Sequence, residues 1–125
     1  MDTMIFENKT IEEVEVWVNA GTVNDFPKDG GSNILYEGEQ IAIFNFSTLN
    51  KWFATQNLCP HKKQMILSRG MLGTEGETPK VACPYHKKTF SLETGENLNG
   101  CEDTIKTYPV KIENDTVFVG YYEIK

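Results

Sequence analysis

Both histidines of this chain stand within three residues of a cysteine, as Cys59-Pro60-His61 and Cys83-Pro84-Tyr85-His86, with residues 62–82 between the two groups. Thiolate and imidazole together select zinc or iron–sulfur chemistry. Four such ligands serve one centre only if the fold brings both segments to the same place, so the chain between them has to run out and return. Each cysteine is followed by a proline, which fixes φ and removes an amide hydrogen, stiffening a loop that must aim its side chains.

The rest of the sequence fits a scaffold of strands. Short runs rich in β-branched and aromatic residues, separated by turn residues, recur along the chain, and no amphipathic helical period persists beyond about two turns. Strands are expected at 14–18, 33–36, 40–46, 52–56, 80–82, 88–92, 105–112 and 117–122, which makes the fold class all-β. Glu37-Gly38, Thr94-Gly95 and Asn114-Asp115 read as hairpin connections, because Gly tolerates positive φ and Asn or Asp can hydrogen-bond their own backbone. Residues 24–32 read as a loop or one helical turn. The polar, glycine-rich stretch 70–77 reads as the segment returning the chain from the first ligand loop to the second.

A length of 125 residues suits a single domain, 1–125, with no internal repeat and no linker. The formal charge of −6 argues against nucleic acid as a partner. Apolar runs such as Ile41-Ala42-Ile43-Phe44 are far shorter than the roughly 20 residues a membrane helix needs. The first residues lack a secretory leader, so a cytoplasmic location is expected. Three cysteines cannot all pair within one chain, and in a reducing compartment metal binding is the better expectation.

Zinc modules usually pair Cys with nearby Cys and His with nearby His, so that each short turn grips one tetrahedral ion. Here each turn mixes the two types. A mixed turn suits a binuclear cluster in which one iron takes a cysteine from each loop and the other takes a histidine from each loop.

The pattern Cys-x-His followed by Cys-x-x-His resembles the Rieske [2Fe-2S] family. Within it, the segments Cys59-Pro60-His61-Lys62-Lys63, Leu67-Ser68-Arg69-Gly70-Met71-Leu72-Gly73 and Cys83-Pro84-Tyr85-His86-Lys87-Lys88-Thr89-Phe90 are similar to the small subunit of assimilatory NAD(P)H-dependent nitrite reductases. Weaker similarity runs through residues 38–44, 52–55 and 108–110. The resemblance implies an antiparallel β-sandwich or partly open barrel carrying a two-loop cluster-binding subdomain at about 57–95. It implies a [2Fe-2S] cofactor held by Cys59, His61, Cys83 and His86, with the cysteines on the buried iron and the histidines on the outer one. It also implies electron transfer and a nitrite reductase large subunit, bearing FAD, a [4Fe-4S] cluster and sirohaem, as partner.

High-potential members of the family have a serine two positions and a tyrosine four positions after the second histidine, and a disulfide bracing the loops. The corresponding residues here are Lys88, Phe90, and the pair Gln64 and Tyr85. A free Rieske ferredoxin serving an oxygenase, and a zinc-bound or metal-free assembly domain, are the alternative readings. Cys101 matches no ligand position. Lys62, Lys63, Lys87 and Lys88 are either solvated loop charges or a docking face, Arg69 reads as one half of a structural ion pair, and Trp17, Trp52 and Tyr108 read as packing residues.

Overall fold

The computed structural model describes residues 14–60, 64–84, 88–100 and 102–122. His61, Lys62, Lys63, Tyr85, His86, Lys87 and Cys101 lie outside the described residues, as do the first thirteen. The strands are β1 (Val16–Thr22), β2 (Gly30–Tyr36), β3 (Glu39–Phe46), β4 (Lys51–Gln56), β5 (Leu58–Cys59), β6 (Gln64–Met65), β7 (Met71–Glu75), β8 (Thr78–Ala82), β9 (Thr89–Ser91), β10 (Thr107–Tyr108), β11 (Val110–Glu113) and β12 (Thr116–Tyr121). Single 3-10 turns occur at Val23–Asp25, Ser47–Leu49 and Leu67–Arg69, and there is no α-helix among the described residues. The fold is all-β, and every strand pairing is antiparallel.

The strands form sheets in the orders β1-β12-β11, β10-β4-β3-β2, β5-β6 and β7-β8-β9. The central strand β3 explains how they come together. Successive side chains of a strand point to opposite faces, and in β3 both faces are apolar. Ile41 and Ile43 pack into one core with Ala54, Tyr108, Val117, Val119 and Tyr122. Ala42, Phe44 and Phe46 pack into a second core with Leu67, Val81, Phe90, Leu92 and Ile105. One strand is thus the shared wall of two cores, the first between the large sheets and the second beneath the ligand segments.

Turn chemistry fixes the registers. Glu37-Gly38 joins β2 to β3 with φ of 51° and 77°, and Asn114-Asp115 joins β11 to β12 with φ of 51° and 61°. Positive φ at both central residues matches the right-handed twist of a hairpin. Gly95 (φ 81°) reverses the chain after β9, so that Phe90 bridges Asn97.

One strand is added and two expectations are corrected. The stretch 70–77 returns the chain to the second ligand segment as expected, and does so as a hairpin: Met71–Glu75 pairs with Thr78–Ala82 across Gly76, at φ 62°. Its residues are mostly exposed or half-buried, so the apolar alternation that marks a strand is missing. The single strand at 105–112 is divided at Pro109, which has no N–H to give a ladder. Tyr108 pairs with β4, and Val110 with β12 in the other sheet. Residues 30–32, read as loop, open β2 against Asn45, Phe44 and Ile43.

Candidate metal centre

Two hairpins present the ligand segments. In the first, Leu58 pairs with Met65 and Cys59 with Gln64, so Cys59 occupies the last rung. In the second, Ala82 pairs with Thr89 on the last rung, and the Cys83 N–H, one residue further on, donates to Lys88 O at 2.8 Å. The two cysteines therefore occupy matching places. Cys59 is 0% and Cys83 1% exposed, neither is in a disulfide, and both belong to the core that holds Ala42, Phe44, Leu67 and Phe90. His61 and His86 follow the two cysteines by two and three residues in the sequence and lie outside the described residues.

Several residues that carry no ligand atom hold the hairpins in place. Asn57, 1% exposed, accepts the Ile66 and Leu67 N–H groups at its carbonyl (3.0 Å each) and the Ser68 N–H at Oδ1 (2.8 Å). Gln56 Nε2 donates to Leu58 O at 2.7 Å, and its Oε1 accepts the Lys106 N–H at 2.8 Å. In the second hairpin, Asn99 Oδ1 accepts the Thr89 N–H at 2.6 Å and the Thr89 hydroxyl at 3.1 Å. Gly70 lies where a Cβ would meet Ala82 O, so the turn 67–69 approaches β8 more closely than any side chain permits. The sequence gives no role to Asn57 or Asn99, and marks Gly70 only as part of a glycine-rich stretch. A lone amide two residues from a cysteine is a feature that many loops share. Arg69, read as half of an ion pair, is exposed and forms none among the described residues.

A cavity of about 520 Å³ lies behind the first hairpin, lined by residues that include Leu58, Met65, Glu39, Lys106, Tyr108 and Tyr121. Lys106, 3% exposed, donates from Nζ to Tyr122 O at 2.7 Å and stands over the rings of Tyr122, Tyr108 and Tyr121 at 4.5, 4.7 and 5.5 Å. Its ion pair with Glu39 is loose, at 3.9 Å. Burial, and then the Glu39 carboxylate, push the Tyr108 phenol well above its ordinary range. Trp52 meets Phe26 edge-on at 5.5 Å, and Trp17 lies under Lys111 Nζ at 4.5 Å, both as packing residues.

The donor chemistry fits an iron–sulfur cluster. Two thiols shielded from water in one apolar core offer soft ligands in a low-dielectric setting, and in the sequence an imidazole follows each of them within three residues.

A small all-β domain that buries Cys59 and Cys83 at the ends of two hairpins, in a sequence reading Cys-x-His and Cys-x-x-His, has the marks of one class of iron–sulfur protein. The chain belongs to the Rieske-like [2Fe-2S] domain family, whose model matches residues 16–120, and its cofactor is a [2Fe-2S] cluster. It is 32% identical over 108 residues to the nitrite reductase [NAD(P)H] large subunit of Klebsiella oxytoca; the match covers 86% of this chain and 11% of that protein, so the chain spans only a small part of its length. It is 34% identical over 104 residues to the ferredoxin component of the naphthalene 1,2-dioxygenase/salicylate 5-hydroxylase systems of Ralstonia sp, covering 82% of this chain and 93% of the relative. The solution structure of the nitrite reductase [NAD(P)H] small subunit from Erwinia carotovora superposes with a TM-score of 0.74 at 25% identity, covering 87% of this chain and 84% of that one. No helix among the described residues is long and apolar enough to cross a membrane.

Proposed function

We propose that the chain is an electron-transfer module in which Cys59 and Cys83 hold one iron of the [2Fe-2S] cluster and His61 and His86 hold the other. Its place would be as small subunit of an NAD(P)H-dependent nitrite reductase reducing nitrite to ammonium. The partner would be a large subunit carrying FAD, a [4Fe-4S] cluster and sirohaem. The observation that carries the ligand assignment is the matching placement of Cys59 and Cys83, each buried where the pairing of its hairpin ends and both in one core. The bound cluster supplies a one-electron couple. Cys59 and Cys83 would anchor it on the core side, and His61 and His86 would hold its outer iron. Similarity to both a nitrite reductase and a nitrite reductase small subunit supports the choice of partner.

A second reading, a ferredoxin that serves an oxygenase, is favoured by the match to 93% of a ferredoxin component's length. Mixing the anaerobically reduced protein with a purified nitrite reductase large subunit separates the two. The proposal expects co-elution and reoxidation that depends on nitrite. Reoxidation by a ring-hydroxylating oxygenase component and not by the nitrite reductase favours the second reading. Co-elution with no reoxidation overturns the electron-transfer role.

A further inference from the structure

We propose that Asn57 is the positioning residue of the first ligand hairpin, fixing both of its arms to the central sheet so that Cys59 is held in a single orientation. The inference rests on the assignment of Cys59 and His61 as ligands. The hairpin of β5 and β6 has only two rungs, Leu58 to Met65 and Cys59 to Gln64. A two-stranded ribbon so short has no stability of its own, so its orientation must be set from outside.

The polar groups of Asn57 supply that setting. Its N–H donates to Gln40 O at 3.0 Å, and its Nδ2 donates to Gln40 Oε1 at 2.9 Å, which ties the outgoing arm to β3. Its carbonyl takes the Ile66 and Leu67 N–H groups, and its Oδ1 takes the Ser68 N–H, which ties the returning arm to the same residue. Ser68 Oγ in turn accepts Asn33 Nδ2 of β2 at 3.3 Å. Asn57 and Ser68 are 1% and 7% exposed. An apolar side chain at 57 would leave the buried Ser68 N–H without its acceptor and free the half-buried Gln40 side chain from the outgoing arm. Asn57 meets both requirements at once, an acceptor towards one arm and a donor towards the sheet. Gln56 fixes only the outgoing arm, through Leu58 O.

The test uses the holoprotein and three variants. Asn57→Ala removes the side-chain bonds. Asn57→Asp keeps an acceptor for Ser68 and lets Gln40 turn its amide to donate. Asp29→Ala removes two hydrogen bonds to Thr48, outside both hairpins, as a control for lost stability. The proposal expects Asn57→Ala to lose its cluster to a chelator about 10–100-fold faster than wild type, the usual effect of removing support behind a metal ligand. Its EPR lines should broaden, and hydrogen exchange should quicken across residues 64–70. Asn57→Asp should recover most of that loss rate, while Asp29→Ala melts lower but keeps the wild-type rate. Equal loss rates for Asn57→Ala and Asp29→Ala overturn the proposal. If Asn57→Ala does not fold, the wild-type protein decides by residue-resolved hydrogen exchange: slow exchange of the Ser68 amide, whose acceptor is the Asn57 side chain, supports the clasp, and unprotected exchange of that amide overturns it. Retention of the cluster in Cys59→Ser would instead refute the ligand assignment, with protection of 64–70 unchanged.

Discussion

Phe90 shows what one residue does to a redox site. It is fully buried in the same core as Cys59 and Cys83, at the position where high-potential relatives carry a tyrosine, and its ring has no hydrogen to donate to a sulfur. The midpoint should therefore fall in the lower part of the Rieske range of about −150 to +300 mV. A charge-assisted hydrogen bond is worth roughly 1.5–3 kcal/mol, or about 65–130 mV in a one-electron couple. Phe90→Tyr should raise the midpoint by that amount in a spectroelectrochemical titration, and an unchanged midpoint would contradict the reading. Tyr108 gives a prediction in pH. Its phenol titrates higher in the folded chain than in the unfolded one, so its contribution is fully present below the unfolded value of about 10. Above that, the unfolded chain sheds a proton that the folded chain keeps. Stability should decline as pH rises beyond about 10, and Tyr108→Phe should lessen the slope in chemical denaturation curves. At this scale the two ligand segments were legible as a candidate, because a rare donor set at fixed spacing has few other uses, and the structure buries Cys59 and Cys83 in one core. Asn57 was not legible, because the bonds that define it reach residues 40 and 66–68, and nothing at position 57 announces them.

Among the elements, strands with alternating or continuous apolar residues were legible and the rest were not. β3, β4 and β12 declare themselves through buried side chains, whereas β7 has almost none and is held by its ladder to β8. Pro109 was visible in the sequence, yet its effect, sending β10 and β11 to different sheets, depends on which strands wait on either side. Between the two ligand hairpins, Gly70 sets the spacing. Its φ of −72° suits any residue, so the requirement is for space: a Cβ there meets Ala82 O and comes within 2.7 Å of Val81 Cγ2, directly before Cys83. Gly70→Ala should destabilise the fold by about 1–3 kcal/mol, the usual cost of overpacking, and lower the cluster content of the purified protein. Gly73→Ala is the comparison, since the nearest atom is Lys80 Cε at 3.6 Å. It should shift the urea midpoint little, by about 0.5 kcal/mol or less. Equal effects at both positions would contradict the spacing role.

The whole molecule joins a β-sandwich to a cluster-bearing end through one strand, β3, whose odd residues serve the first core and whose even residues serve the second. Cys59 and Cys83 are embedded in the second core, so cluster loss and unfolding of that end should be linked. All-β architecture and the two-loop subdomain were readable from pattern and resemblance; the division into two cores was not, because it appears only when both faces of β3 are seen to be covered. The central claim is that one [2Fe-2S] cluster is held by Cys59, His61, Cys83 and His86. Pulsed EPR of the anaerobically purified, dithionite-reduced protein, grown with isotopically labelled histidine, tests it most directly. The account predicts a paramagnetic two-iron centre coupled to two histidine nitrogens, with one coupling lost in His61→Ala or His86→Ala wherever a cluster survives. A diamagnetic zinc-loaded protein, or a cluster with no nitrogen coupling, would contradict it.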